Sequence, residues 1–146
     1  VKEVGQGMGP ESIKRLLDLP IEAVEFGALG GTNFTLLELL RSQEKELTAF
    51  EAFGRVGHTA EDMTHMVNDI VSSSNTYSCK KLIISGGITN ILDGYYLQQF
   101  CRLPSVIGMG SALLKVAAGE YEELRNYLQQ VEKSYQLASS YLRIRK

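Results

Sequence analysis

Several things that would assign this chain quickly are scarce or missing. Its 146 residues hold 2 cysteines, Cys79 and Cys101. These are too few for a disulfide framework, and they fit buried thiols in a reducing, cytoplasmic setting. The 2 histidines, His58 and His65, stand seven apart without a third histidine or a cysteine beside them, which argues against a metal site. A net charge of −2 leaves no basic footprint for nucleic acid. No apolar run approaches a membrane span, and nothing reads as a signal peptide. The serines lack the G-x-S-x-G nucleophile elbow. Gly5, Gly7 and Gly9 misplace the third glycine of the dinucleotide-binding motif. There is no repeat, linker or low-complexity segment, so residues 1–146 are expected to form part or all of one domain.

What remains is an alternation. Val1 to Val4 has a strand pattern and stops at Gly5, and Pro10 with Glu11 behind it opens a helix reaching Asp18. Ile21 to Phe26 is a second strand, followed by Gly30-Gly31-Thr32 and a short leucine-rich helix. Residues 41–58 are charged or irregular and long for a simple connection, hence a candidate active-site loop. Thr59 is placed to cap a helix whose Met63, Met66, Val67, Ile70 and Val71 share one face. Leu82 to Ser85 is the third strand, with Thr89 as cap of a helix through Cys101. Ser105 to Met109 is the fourth strand, and the rest is helical, with a stripe from Leu124 to Ala138. The order βαβαβαβα predicts a parallel sheet with right-handed crossovers, either half of a (β/α)8 barrel or most of an open sheet. In both, ligands collect at the C-terminal strand ends. The chain opens directly in a strand pattern, Val1-Lys2-Glu3-Val4, without methionine, as expected of the middle of a longer protein.

Every strand ends in glycine or a small polar residue. Gly86-Gly87 follows the third strand, and Gly108-Met109-Gly110-Ser111 closes the fourth. Bare backbone lets N–H groups converge on a phosphate, and a following helix favours its charge. The competing explanation is a tight strand-to-helix turn needing positive φ. Gly30-Gly31-Thr32 offers backbone and a hydroxyl at one spot, or simply a loop. Lys2 sits in an apolar strand. It would place a positive charge against a bound anion or electron-rich ring, or else point outward toward Glu3 or a neighbouring helix.

In this order, "VKEVGQGM", "GGTNF", "SGGITN" and "GMGSALL" resemble type 2 isopentenyl-diphosphate isomerase, the FMN-dependent kind. The similarity covers nearly the whole chain and implies strands five to eight of a (β/α)8 TIM barrel, a C-terminal half. The pair "VKEVG" and "GGTNF" is the more distinctive, whereas "SGGI" and "GMG" occur in many FMN barrels. By resemblance, Lys2 stands beside the flavin ring and Thr32 binds the flavin from the sixth-strand loop. Gly87, Ile88 and Thr89 hold its phosphate, with Gly110 and Ser111 on the other side. Gly27 stands where the family often has serine. Thr89 replaces a phosphate-pairing arginine, and "FGRVGHTAED" replaces a Trp-Gly segment.

The resemblance further implies reduced FMN, NADPH as reductant, and Mg²⁺ held by ligands outside this chain. The substrate would be isopentenyl diphosphate, interconverted with dimethylallyl diphosphate for isoprenoid synthesis in the cytoplasm. The partners would be the N-terminal half of the same barrel and further copies in a homo-oligomer. No catalytic residue is assigned within the chain, so the isolated piece is expected to be inactive. Two alternatives share some of these motifs. One is an FMN-dependent oxidoreductase barrel of the 2-hydroxy-acid or IMP dehydrogenase type. The other is a non-catalytic phosphate-binding half barrel.

Overall fold

A computed structural model describes residues 1–42, 50–73 and 76–145. Part of the long candidate loop, residues 43–49, lies outside the described residues, as do residues 74–75 and 146. Within them, helix α1 spans Pro10–Asp18, strand β1 Val24–Glu25, α2 Phe34–Arg41 and a 3-10 turn Glu51–Arg55. Then come α3 (Ala60–Ser73), β2 (Leu82–Ser85), α4 (Ile91–Phe100), β3 (Ser105–Gly108), α5 (Ser111–Ala117) and α6 (Tyr121–Tyr141). The three strands are parallel in the order β1-β2-β3, and Lys2 adds an isolated parallel bridge to Glu25 on the other side of β1. Spatial order therefore follows chain order, and the described strands contain no reversal of the kind found in open doubly wound sheets.

The helix boundaries follow local chemistry. Pro10 occupies the first turn of α1, and Ile13 and Leu17 bury one face. At α3, Thr59 and Asp62 form a reciprocal capping box. The Thr59 N–H donates to Asp62 Oδ2 at 3.0 Å, and the Asp62 N–H donates to Thr59 Oγ1 at 3.1 Å. The Thr59 hydroxyl, and then its backbone N–H, hold the Asp62 carboxyl below its ordinary pKa. At α4 the cap is Asn90, not Thr89: its side chain accepts from Leu92 N and Asp93 N, both at 3.0 Å. Asn fits that role at least as well as Thr, because its carbonyl reaches two N–H groups at once. The C-terminal helical stretch is two helices, parted at residues 118–120 around Gly119, whose helix propensity is poor.

The strands are shorter than their apolar patterns. Val1 to Val4 contributes the single Lys2 bridge. Ile21 to Phe26 contracts to Val24–Glu25, although Phe26 N still donates to Ile83 O (3.0 Å) and Ala28 N to Ser85 O (2.9 Å). Alternation sorts the sheet into two faces. Val24, Phe26, Leu82 and Ile84 are buried and pack with Ile13, Leu17, Met63 and Val67 under α1 and α3. Burying each such side chain contributes about 1.5–3 kcal/mol, so this is where the fold's stability is concentrated. The opposite face carries the cross-strand row Lys2, Glu25, Ile83 and Val106. This face is less well covered: Glu25 and Ile83 are half-buried, and Val106 is 57% exposed. Among the described residues, no helix is long and apolar enough to cross a membrane. Cys79 is buried and Cys101 partly so; burial pushes the Cys101 thiol pKa up.

Candidate functional site

The open face and the C-terminal strand ends meet in a cleft of about 570 Å³. Its walls include Lys2, Glu25, Gly27, Thr32, Ser85, Gly86, Gly87, Ile88, Gly110 and Ser111, with Phe34, Met109 and Leu114 as apolar lining. Seven of the eight positions singled out by resemblance thus lie on one cavity. Thr89 does not. It borders a neighbouring depression with Ser111, Lys115, Glu123 and Tyr127. With Asn90 taking the cap, Thr89 is left exposed one step outside the cleft.

Lys2 and Glu25 are direct cross-strand partners, so their side chains leave the sheet on the same side. The Lys2 ammonium forms an ion pair with Glu25 Oε1. The same oxygen accepts the Ser85 hydroxyl at 3.0 Å, and Ser85 Oγ in turn accepts the Gly27 N–H at 3.2 Å. Lys2 therefore neither stands free nor pairs with Glu3. Glu3 folds back instead. One of its oxygens accepts the N–H groups of Gly5 (2.7 Å), Gln6 (3.0 Å) and Gly7 (2.9 Å). Burial alone would raise the Glu3 pKa. The backbone N–H groups, that of Gly5 first, outweigh it and hold the carboxyl below the ordinary range.

Glu25 belongs to no motif that singles it out in the sequence. A signal for Glu25 was nonetheless present. Val24 and Phe26 point to the core, so the charged residue between them must occupy the other face, beside Lys2.

The glycines divide by what surrounds them. At Gly86, φ is +93° and an added Cβ would stand 2.2 Å from the Ala28 carbonyl oxygen. At Gly87, φ is +71° and a Cβ would lie 2.8 Å from Leu29 O. Gly30 faces Gly87 from the opposite loop: a Cβ added to it would lie 2.8 Å from Gly87 Cα. These loops interlock backbone to backbone, which by itself requires glycine. Gly27 is similar, with φ +52° and a Cβ position 2.2 Å from Glu3 O, so a serine there would force the Glu3 backbone aside. Ile88 lines the cleft although it belongs to the buried core cluster and is 5% exposed. Gly110 differs: its φ is −82° and nothing lies within 4 Å of its Cβ position.

His58 is used through its backbone, donating to Gln6 O and accepting from Leu29 N, both at 2.9 Å. His65 is exposed, with its ring 4.6 Å from that of Phe100. Among the described residues, no three histidine, cysteine or carboxylate groups cluster as metal ligands.

No protein-family model matches the chain. Curated relatives do. The isopentenyl-diphosphate delta-isomerase of Bacillus licheniformis is 32% identical over 123 residues, 84% of this chain and 32% of the relative. That of Oceanobacillus iheyensis is 30% identical over 133 residues, 90% of this chain and 36% of the relative. That of Thermoplasma acidophilum is 28% identical over 141 residues, 94% of this chain and 37% of the relative. The chain spans about a third of the length of the curated relatives it matches, and proteins named isopentenyl-diphosphate delta-isomerase resemble it at about 30% identity over most of its length.

Proposed function

We propose that this chain is the flavin-contacting C-terminal half of an FMN-dependent, type 2 isopentenyl-diphosphate isomerase. The observation that carries the reading is the convergence of Lys2, Gly27, Thr32, Gly87, Ile88, Gly110 and Ser111 on one cleft at the ends of parallel strands. The relatives' names supply the reaction class, isomerisation of isopentenyl diphosphate, and the family resemblance supplies dimethylallyl diphosphate as its product. The fold supports the half-barrel part of the proposal in two ways. Strands in sequential order without a reversal suit a barrel, and a parallel sheet with one face only partly covered has room for a further layer. The N-terminal half of the same barrel would provide that layer, and oligomerisation of the complete enzyme is part of the proposal.

The residues present suit FMN. Met109, Phe34 and Leu114 give the cleft apolar walls for a flat ring, and Gly110 lines it with open space around its Cβ position. Lys2 would offer an N–H to a polar ring edge. The Thr32 and Ser111 hydroxyls and the backbone at Gly87, Ile88 and Gly110 would orient the ring and its phosphate tail. Bound and reduced by NADPH, FMN would supply proton transfer to and from the allylic carbons without net oxidation. Phe34 and Leu114 would exclude water from the ring. Mg²⁺, with ligands outside this chain, would supply charge neutralisation for the substrate's diphosphate.

The test is an isomerase assay on the complete polypeptide with isopentenyl diphosphate, FMN, NADPH and Mg²⁺. Dimethylallyl diphosphate should form only when FMN is present. Turnover without any flavin would remove the proposed function.

A further inference from the structure

We infer that Glu25 bars anions from the Lys2 end of the cleft, directing a ligand's charged group to the glycine-lined end and leaving an uncharged ring or polar group beside Lys2. The inference rests on this cleft being the ligand site, as proposed above. Three charged side chains line it: Lys2, Glu3 and Glu25. That is one formal positive charge against two negative. The Glu3 carboxylate is already committed to the backbone of residues 5–7.

The Lys2 charge is committed as well. The Glu25 side chain is 20% exposed and Lys2 61%, so the carboxylate is the fixed member and the ammonium reaches to it. Ser85 fixes Glu25 further. A hydroxyl has one proton, and that of Ser85 goes to Glu25 while its oxygen takes the Gly27 N–H. This chain of donors runs one way and ends on a carboxylate that accepts from two sides. An anion arriving beside Lys2 would meet a cation already neutralised and a like charge next to it.

The other end is different. Three strand spacings separate Lys2 from β3, roughly 14 Å at the usual inter-strand distance. There the lining is Gly108, Met109, Gly110 and Ser111, without a carboxylate. The two ends of the cleft therefore differ in charge, and Glu25 sets which way round an elongated anionic ligand lies.

Inorganic pyrophosphate is the probe, titrated into the complete polypeptide by calorimetry. Glu25→Gln should bind it roughly tenfold more tightly, the effect of removing one like charge at close range in a partly screened site. In the double variant carrying Lys2→Ala as well, that gain should vanish. Peptide-level mass spectrometry of acetylated lysines supplies a second readout. Pyrophosphate should protect Lys2 from acetylation in Glu25→Gln and leave it unprotected in the wild type. Unchanged affinity, a gain that survives Lys2→Ala, or protection of wild-type Lys2 would each overturn the inference. The wild-type labelling decides even if the variant does not fold. FMN titration of the same samples separates the two proposals. A wild type that binds no FMN removes the flavin reading while the pyrophosphate results still judge Glu25. Normal FMN binding with unchanged pyrophosphate affinity removes the role of Glu25 alone.

Discussion

The loops that end β2 and β3 look alike in sequence, each a glycine pair around a strand end, yet they serve the molecule differently. Gly86 and Gly87 are locked against the loop of Ala28 to Gly30, at distances where no Cβ fits. Gly110 has open space where its Cβ would be. A glycine in a phosphate-loop motif can therefore be demanded by the neighbouring backbone before any ligand is considered. The first loop is part of the fold. The second is where an absent side chain leaves room for something else.

The largest effect that could break this contrast is at Gly86. Gly86→Ala combines positive φ with a 2.2 Å approach to Ala28 O, and should cost at least about 3 kcal/mol in urea unfolding. A cost below about 1 kcal/mol would mean that the interlock yields easily.

Glu3 governs a third glycine loop and extends the contrast. Glu3→Gln should cost about 1.5 kcal/mol at neutral pH, allowing for partial exposure of the carboxylate. Because the folded carboxyl titrates below its unfolded value, its stabilisation is complete above the ordinary glutamate range. It is lost as pH falls through the lowered folded pKa. The difference between wild type and Glu3→Gln should thus be widest at pH 7 and close on acidification. A gap independent of pH would assign the loss to packing.

Thr59→Ala, remote from both loops, calibrates the scale. Losing one side of the capping box should cost about 1 kcal/mol, read from the thermal midpoint. Gly110→Ala should have the smallest effect, within about 0.5 kcal/mol in the same measurement. A larger loss would show that Gly110, too, is held by the fold.

Much of this was legible in the residues. The periodicity from Met63 to Val71 and the Thr59 cap give α3, and Pro10 with Ile13 and Leu17 gives α1. That the strands run parallel follows from the alternation; their spatial order does not, because half a barrel and an open sheet share the same alternation. Strand lengths did not, because Val1 and Val4 are apolar but exposed, and their pairing depends on tertiary neighbours. Thr89 and Asn90 are adjacent capping residues, and only backbone geometry chooses between them. For the site, strand-end glycines and Lys2 fall on one cleft, but partnership is invisible in one dimension. Lys2 meets Glu25, 23 positions away, and Ser85 joins them from 60 positions beyond Glu25. Which glycines are fixed by neighbouring backbone is equally a fact of three dimensions.

The most direct measurement is an FMN titration of Gly110→Val in the complete polypeptide, followed by flavin absorbance beside its thermal midpoint. The valine should leave the midpoint nearly unchanged and weaken FMN at least about tenfold, since its methyl groups would fill the open lip of the cleft. Wild-type FMN affinity in a normally folded Gly110→Val would contradict the placement of the cofactor in this cleft.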